Sequence, residues 1–186
     1  MLDPLLLKVI SISFGLMFLM AAVHKLASPA RFRTELADYR VMPMAMVPAM
    51  SSLLPILEAG LGLGWLLTPS IGALPAATAL LLLAYTTGIV VNLLRGRVHI
   101  SCGCGFGRAG ASGDTLSHGI VARNGVLIGA AVLASIPVQP RPLGVLDYFS
   151  LVAALLVCLF LFAAGNQLIR NEAAIGSWRR RTASND

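Results

Sequence analysis

The sequence predicts an all-α protein, a polytopic transmembrane helical bundle of five membrane-spanning helices, or four if the fourth apolar run stays outside the bilayer. Three observations predict it. Of 186 residues, 57% are hydrophobic and only 12% charged, half the ~25% charged residues of soluble domains, and mean hydropathy is +0.82. A water-soluble globule cannot be covered with so little polar surface, whereas a bilayer acts as solvent for apolar faces. Five apolar runs, Leu5 to Val23, Met44 to Leu67, Ile71 to Leu94, Gly119 to Ile136 and Val145 to Ile169, have lengths of 19, 24, 24, 18 and 25, and about 20 helical residues cross the hydrocarbon core. Finally, twelve of the fourteen Lys and Arg fall on one side of these runs, so the net charge of +6 reads as a positive-inside topology signal and not as a nucleic-acid footprint.

The first run is preceded by Met1 to Pro4, with an acid and no basic n-region, and contains Lys8; it reads as a permanent helix and not as a signal peptide. After it, the first loop, His24 to Pro29 and then Arg31 to Arg40, reads as amphipathic and as a short interfacial helix, with Phe32, Leu36 and Tyr39 on one face and Arg31, Arg33 and Arg40 toward headgroups or solvent. The second and third runs are joined only by Thr68, Pro69 and Ser70, a hairpin that makes them antiparallel neighbours and the rigid half of the bundle. Gly60, Gly62 and Gly64 permit close backbone approach there. The fourth run is the shortest, interrupted early by Arg123 and Asn124. The fifth begins with Asp147, which suits a helix N-terminus. Residues 1–170 form one transmembrane domain, and 171–186, with Arg179, Arg180 and Arg181, a basic disordered tail. The basic asymmetry places the N-terminus outside and the segment Arg95 to Ser117 on the cytoplasmic face.

That segment contains His99-Ile100-Ser101-Cys102-Gly103-Cys104-Gly105-Phe106-Gly107. Bridging two thiols one residue apart requires a tight backbone that the interleaved glycines allow, and a strained ring has an oxidising potential suited to exchange. His99, Arg108 and His118 could depress a thiol pKa. Competing readings are a soft-metal site using Cys102, Cys104, His99 and His118, and a glycine-rich linker without chemistry. Cys158 sits among Leu155, Leu156, Val157, Leu159 and Phe160, where a thiol is a small apolar side chain. Three cysteines cannot form a two-pair relay, so electrons must pass to another molecule, a partner protein or a quinone.

Glu58 lies near the middle of the second run, where an acid is costly unless paired or protonated. Its candidate partners are Lys25, Arg123, Tyr85 and Asn92, with Arg123 placed first.

In order and spacing, several pieces resemble the MauE branch of the DoxX-like membrane proteins, named for methylamine utilisation. They are His24, Lys25, Leu26 and Pro29; Tyr39, Arg40 and Pro43; Pro55, Leu57, Glu58 and Gly62; Asn92 to Arg97; Cys102-Gly103-Cys104; and Arg123-Asn124. They cover about residues 14–136. The resemblance implies a bacterial inner-membrane protein and thiol-disulfide oxidoreductase in which Cys102 and Cys104 cycle, supported by His99, His118, Glu58, Arg123 and Lys25. It further implies a thioredoxin-like partner and a client, the small subunit of methylamine dehydrogenase or a similar periplasmic dehydrogenase. The family's loop usually runs Cys-Gly-Cys-Phe-Gly, and here Gly105 is inserted before Phe106. A periplasmic client also wants the loop outside, against the charge count. The alternative class is a noncatalytic assembly or soft-metal-binding subunit.

Overall fold

The computed structural model describes residues 1–69, 72–97 and 116–183. Those residues fold into six α-helices: α1 Pro4–Ala27, α2 Pro29–Asp38, α3 Val47–Leu67, α4 Ala73–Leu94, α5 His118–Leu133 and α6 Val145–Ala183, with a 3₁₀ turn at Met44–Met46 before α3. Local chemistry sets the boundaries. Asp3 caps α1 by accepting from the Leu5 N–H at 2.8 Å, with Pro4 in the first turn. Pro29 cannot continue α1 past Ser28 and instead opens α2, where its missing N–H costs nothing.

Four helices are long and apolar enough to cross a membrane: Pro4–Ala27, Met44–Leu67 (with its 3₁₀ turn), Ala73–Leu94 and the Val145–Ile169 part of α6. The shorter α5 connects the same two ends. Ile120 in its first turn packs with Ile89 and Leu116, while Ala131 and the adjoining Ala134 join Ile10, Phe14, Phe18, Trp65, Leu74 and Leu82. Its 16 residues rise about 24 Å. Among the described residues the bundle therefore has four spanning helices and a fifth, shorter apolar helix packed along them. One end carries the N-terminus, the turn before α4 and the loop before α6; the other carries α2, the C-terminus of α4 and the start of α5.

The hairpin pair is not the rigid half of the bundle. α3 packs chiefly on α1, and α4 chiefly on α5. Small residues decide this, because a Cβ on Gly62 would stand 3.0 Å from the Leu19 N and 3.1 Å from the Gly15 O, so the α1 and α3 backbones touch there. Gly64 instead admits Leu74, and Gly60 faces open space. Phe14 stacks on Trp65 at 5.4 Å, and the Trp65 indole donates to Thr78 Oγ1 at 2.8 Å, satisfying the one polar atom of a fully buried ring.

The N-terminal end is fastened by a clasp. Leu2 donates to the Pro137 carbonyl and accepts from the Gln139 N–H, both at 2.9 Å, and Arg141 bridges Asp3 at 3.1 Å and Asp147 at 2.9 Å. Lys8 lies over the Tyr148 ring. The opposite end carries Lys25, Arg31, Arg33, Arg40, Arg95, Arg97 and Arg123. α6 does not stop where the expected disordered tail begins, but runs on to Ala183. The segment from Asn171 to Ala183 lacks proline and contains Glu, Arg and Ala, residues that favour helix.

Candidate functional site

The antiparallel register of α1 and α3, fixed where Leu19 meets Gly62, carries Lys25 alongside Glu58. Lys25 is 4% exposed and Glu58 1%. The ammonium donates to Glu58 Oε1 at 2.5 Å, and the Tyr85 hydroxyl from α4 donates to the same oxygen at 2.8 Å. The ammonium also lies 5.3 Å from the Phe32 ring centroid and 5.4 Å from that of Tyr85, so two aromatic faces complete a cation's surroundings where water is excluded. Glu58 Oε2 is buried without a hydrogen-bond partner. A shallow recess lined by His24, Lys25, Ser28, Arg31, Phe32 and Glu35 leads from the basic end toward the pair.

Glu58 thus takes Lys25 and Tyr85 as partners, and not Arg123, the first candidate from sequence. Arg123 projects from α5 toward α6, where Nη1 donates to Asn166 Oδ1 at 2.8 Å and the guanidinium lies 5.7 Å from the Phe162 ring centroid. Asn92 is not a partner of Glu58 either. Its Nδ2 donates to the Tyr39 and Gly88 carbonyls, each at 3.0 Å. Arg95, one turn on, donates to the Arg40 carbonyl at 3.1 Å. These two bonds tie the end of α4 to the α2–α3 connection at Arg40, whose φ of 46° is left-handed. Asn124 closes the set by donating to Thr86 Oγ1 at 3.2 Å.

Thr78, Leu82, Tyr85, Ile89 and Asn92 occupy one stripe of α4, spaced four and three apart. That stripe orders the interior from the clasped end to the basic end: a hydroxyl for Trp65, a phenol for Glu58, an amide for the α2–α3 connection.

Cys102, Cys104 and His99 lie outside the described residues. The segment that holds them leaves α4 after Arg97 and re-enters at Leu116, both at the basic end. His118 is the first residue of α5 and is exposed. Cys158 is exposed on the apolar part of α6, eleven residues before Ile169, about 16 Å along the helix. Among the described residues no three His, Cys, Asp or Glu side chains group as metal ligands. Asn166 and Phe162 were not singled out from sequence; the signal was present, since Asn166 is the first amide after the eighteen apolar or small residues from Tyr148 to Gly165.

At the clasped end, the hydrogen bond from Arg141 holds the Asp3 carboxyl below its ordinary 3.8, and bonds to Asp147 and Asp3 raise the Arg141 guanidinium.

A bundle with four helices long and apolar enough to span a membrane, and a buried Lys-Glu pair joined by a tyrosine, defines a polytopic membrane protein. The chain belongs to the MauE family: the sequence model of that family, described as methylamine utilisation protein MauE, matches residues 3–137. It is 33% identical over 104 residues to the methylamine utilization protein MauE of Paracoccus denitrificans, covering 56% of this chain and 56% of that one. It is 29% identical over 169 residues to the protein of the same name from Methylophilus methylotrophus, covering 90% and 87%. The Paracoccus versutus MauE is 32% identical over 167 residues, covering 89% and 88%. No solved structure matches.

Proposed function

We propose that this chain is a membrane thiol-disulfide redox protein, acting with a thioredoxin-like partner in disulfide formation and maturation of a periplasmic dehydrogenase such as methylamine dehydrogenase. The observation that carries the reading is the Cys102-Gly103-Cys104 pair in the segment between α4 and α5 of a MauE-family chain. In the exchange, a thiolate of the partner attacks one sulfur of the Cys102–Cys104 disulfide and the other sulfur leaves as a thiolate. The partner's second thiolate then resolves the mixed disulfide, so the partner is oxidised and the pair reduced. Two electrons and two protons pass onward from the pair to a quinone in the bilayer, which becomes the quinol and restores the disulfide.

His99 and His118 favour the thiolates. Lys25 and Glu58 form a buried ion pair beneath the same end of the bundle, and Arg123 secures α5 to α6 beside it. The concentration of Lys and Arg at that end supports an inner-membrane orientation with the N-terminus outside, which puts the cysteine pair on the cytoplasmic face, so a relay across the bilayer connects these thiols with the periplasmic client.

Cys102→Ser and Cys104→Ser should each abolish client maturation as fully as the double substitution, because one thiol cannot complete an exchange. Alkylation of the wild type in cells should trap both oxidised and reduced forms. Additive partial losses would overturn the reading, as would a pair that is protected as a unit and releases metal on acidification.

A further inference from the structure

Arg123 is a cation inside an apolar helix, and what it contacts does not neutralise it. Nη1 reaches the amide oxygen of Asn166, Nη2 makes a long 3.5 Å contact with the amide oxygen of Asn124, and Nε has no partner. Among the described residues, no carboxylate is within ion-pair distance of it. A guanidinium at this depth is costly unless an anion or water reaches it.

Its position specifies the anion. Arg123 stands five residues past His118 and Asn166 three before Ile169, roughly 5–8 Å from the helix ends of the apolar span, the level at which a long basic side chain meets headgroups. Deeper into the bilayer, one turn along α5 and two turns along α6, Val126 is 74% exposed and Leu159 61%. Gly125 and Gly129 face open space, and no residue of the apolar part of α6 is buried. The helices meet where Ile169 packs on Gly119 and Arg123 on Asn166.

We propose that Arg123, set by Asn166 and Phe162, binds the headgroup phosphate of an anionic phospholipid, whose acyl chains lie along the exposed surface of α5 and α6 beside Val126 and Leu159. A basic group between spanning helices at the headgroup level is the chemistry that selects such lipids. The lipid would supply the counter-charge, and α6, held at its other end by Arg141 and Asp147, would be fastened at both.

The test is native mass spectrometry of the full chain in neutral detergent with equal amounts of phosphatidylglycerol and phosphatidylcholine of the same acyl chains. The wild type should retain about fivefold more phosphatidylglycerol, and high salt should reduce that ratio. Arg123→Ala should retain the two equally, Arg123→Lys should keep part of the preference, and Arg141→Ala, at the opposite end, should keep all of it. Equal retention by the wild type overturns the proposal, as does a preference that survives in Arg123→Ala. Displacement of the lipid by millimolar inorganic phosphate would show a free-phosphate site and overturn it too. Should Arg123→Ala not fold, the wild-type ratio and its salt dependence still decide.

Discussion

Lys25 and Glu58 can be separated from each other by single substitutions whose effects differ in kind. Lys25→Ala leaves a buried carboxylate whose second oxygen already lacks a partner; removing one member of a buried pair costs about 3–5 kcal/mol. Glu58→Gln leaves the ammonium with a neutral oxygen and two aromatic faces, and should cost less. In the double variant Lys25→Ala with Glu58→Gln, no charge is stranded, so thermal unfolding in detergent should show part of the Lys25→Ala loss recovered. Strictly additive losses would show that the two side chains do not interact. Tyr85→Phe, which removes one donor to Glu58, should cost about 1 kcal/mol.

The need of Glu58 for a partner was legible in the sequence, because an acid in an apolar run is conspicuous, and Lys25 and Tyr85 were among its candidates. Which partner it takes was not legible. That choice depends on helix register, and the register is set by Gly62 against Leu19 and Gly15, a contact that hydropathy does not report. The cysteine pair and His99 were legible as chemistry and lie outside the described residues, so the structure speaks only to the stems that hold them.

Between helices, the glycines of α3 make a sharper distinction than their spacing suggests. Gly62→Ala places a Cβ 2.8 Å from Leu19 Cγ and 3.0 Å from the Leu19 backbone N; backbone cannot yield as a side-chain tip can, so α1 and α3 must separate. Overpacking of this kind costs about 1–3 kcal/mol. Gly60→Ala meets nothing within 4 Å and should be neutral or slightly stabilising. Paired unfolding curves of the two variants check this, and equal effects would place the α1–α3 contact elsewhere. The sequence reading located the four spanning helices and the shorter fourth apolar run to within a few residues. It misjudged which helices pair, because a short hairpin dictates direction but not how closely its arms pack.

For the molecule as a whole, the distribution of charge between its two ends predicts orientation. A reporter active only outside the cytoplasm should give signal when fused after Pro140 and stay silent when fused after Gly110 or Ser177. Membrane-impermeant thiol reagents on intact cells should leave Cys102 and Cys104 unlabelled; strong labelling would invert the bundle. The clasp at the other end makes a separate prediction about pH. Asp3 is held below its ordinary 3.8 by Arg141, so its contribution is fully present above that value and disappears only as pH falls through the depressed one. The protection of the Leu2 and Gln139 amides from hydrogen exchange, relative to a free peptide at the same pH, should therefore stay constant above 3.8. In Arg141→Gln the same amides should exchange faster even at neutral pH.

The clasp also imposes an order on biogenesis. Asp3 and Arg141 are 138 residues apart, and Leu2 pairs with backbone almost as distant, so α1 enters the bilayer well before its end can be fastened. At a synthesis rate of about 5–20 residues per second, that interval is roughly 7–28 s. During it, α1 can be held by α3 through the Gly15–Gly62 contact, while Asp3 and Lys8 remain open to other proteins of the insertion site. A chain that stalls before Arg141 keeps that end unfastened however well the helices before it pack. Closure of the clasp is therefore among the last contacts the growing chain can make.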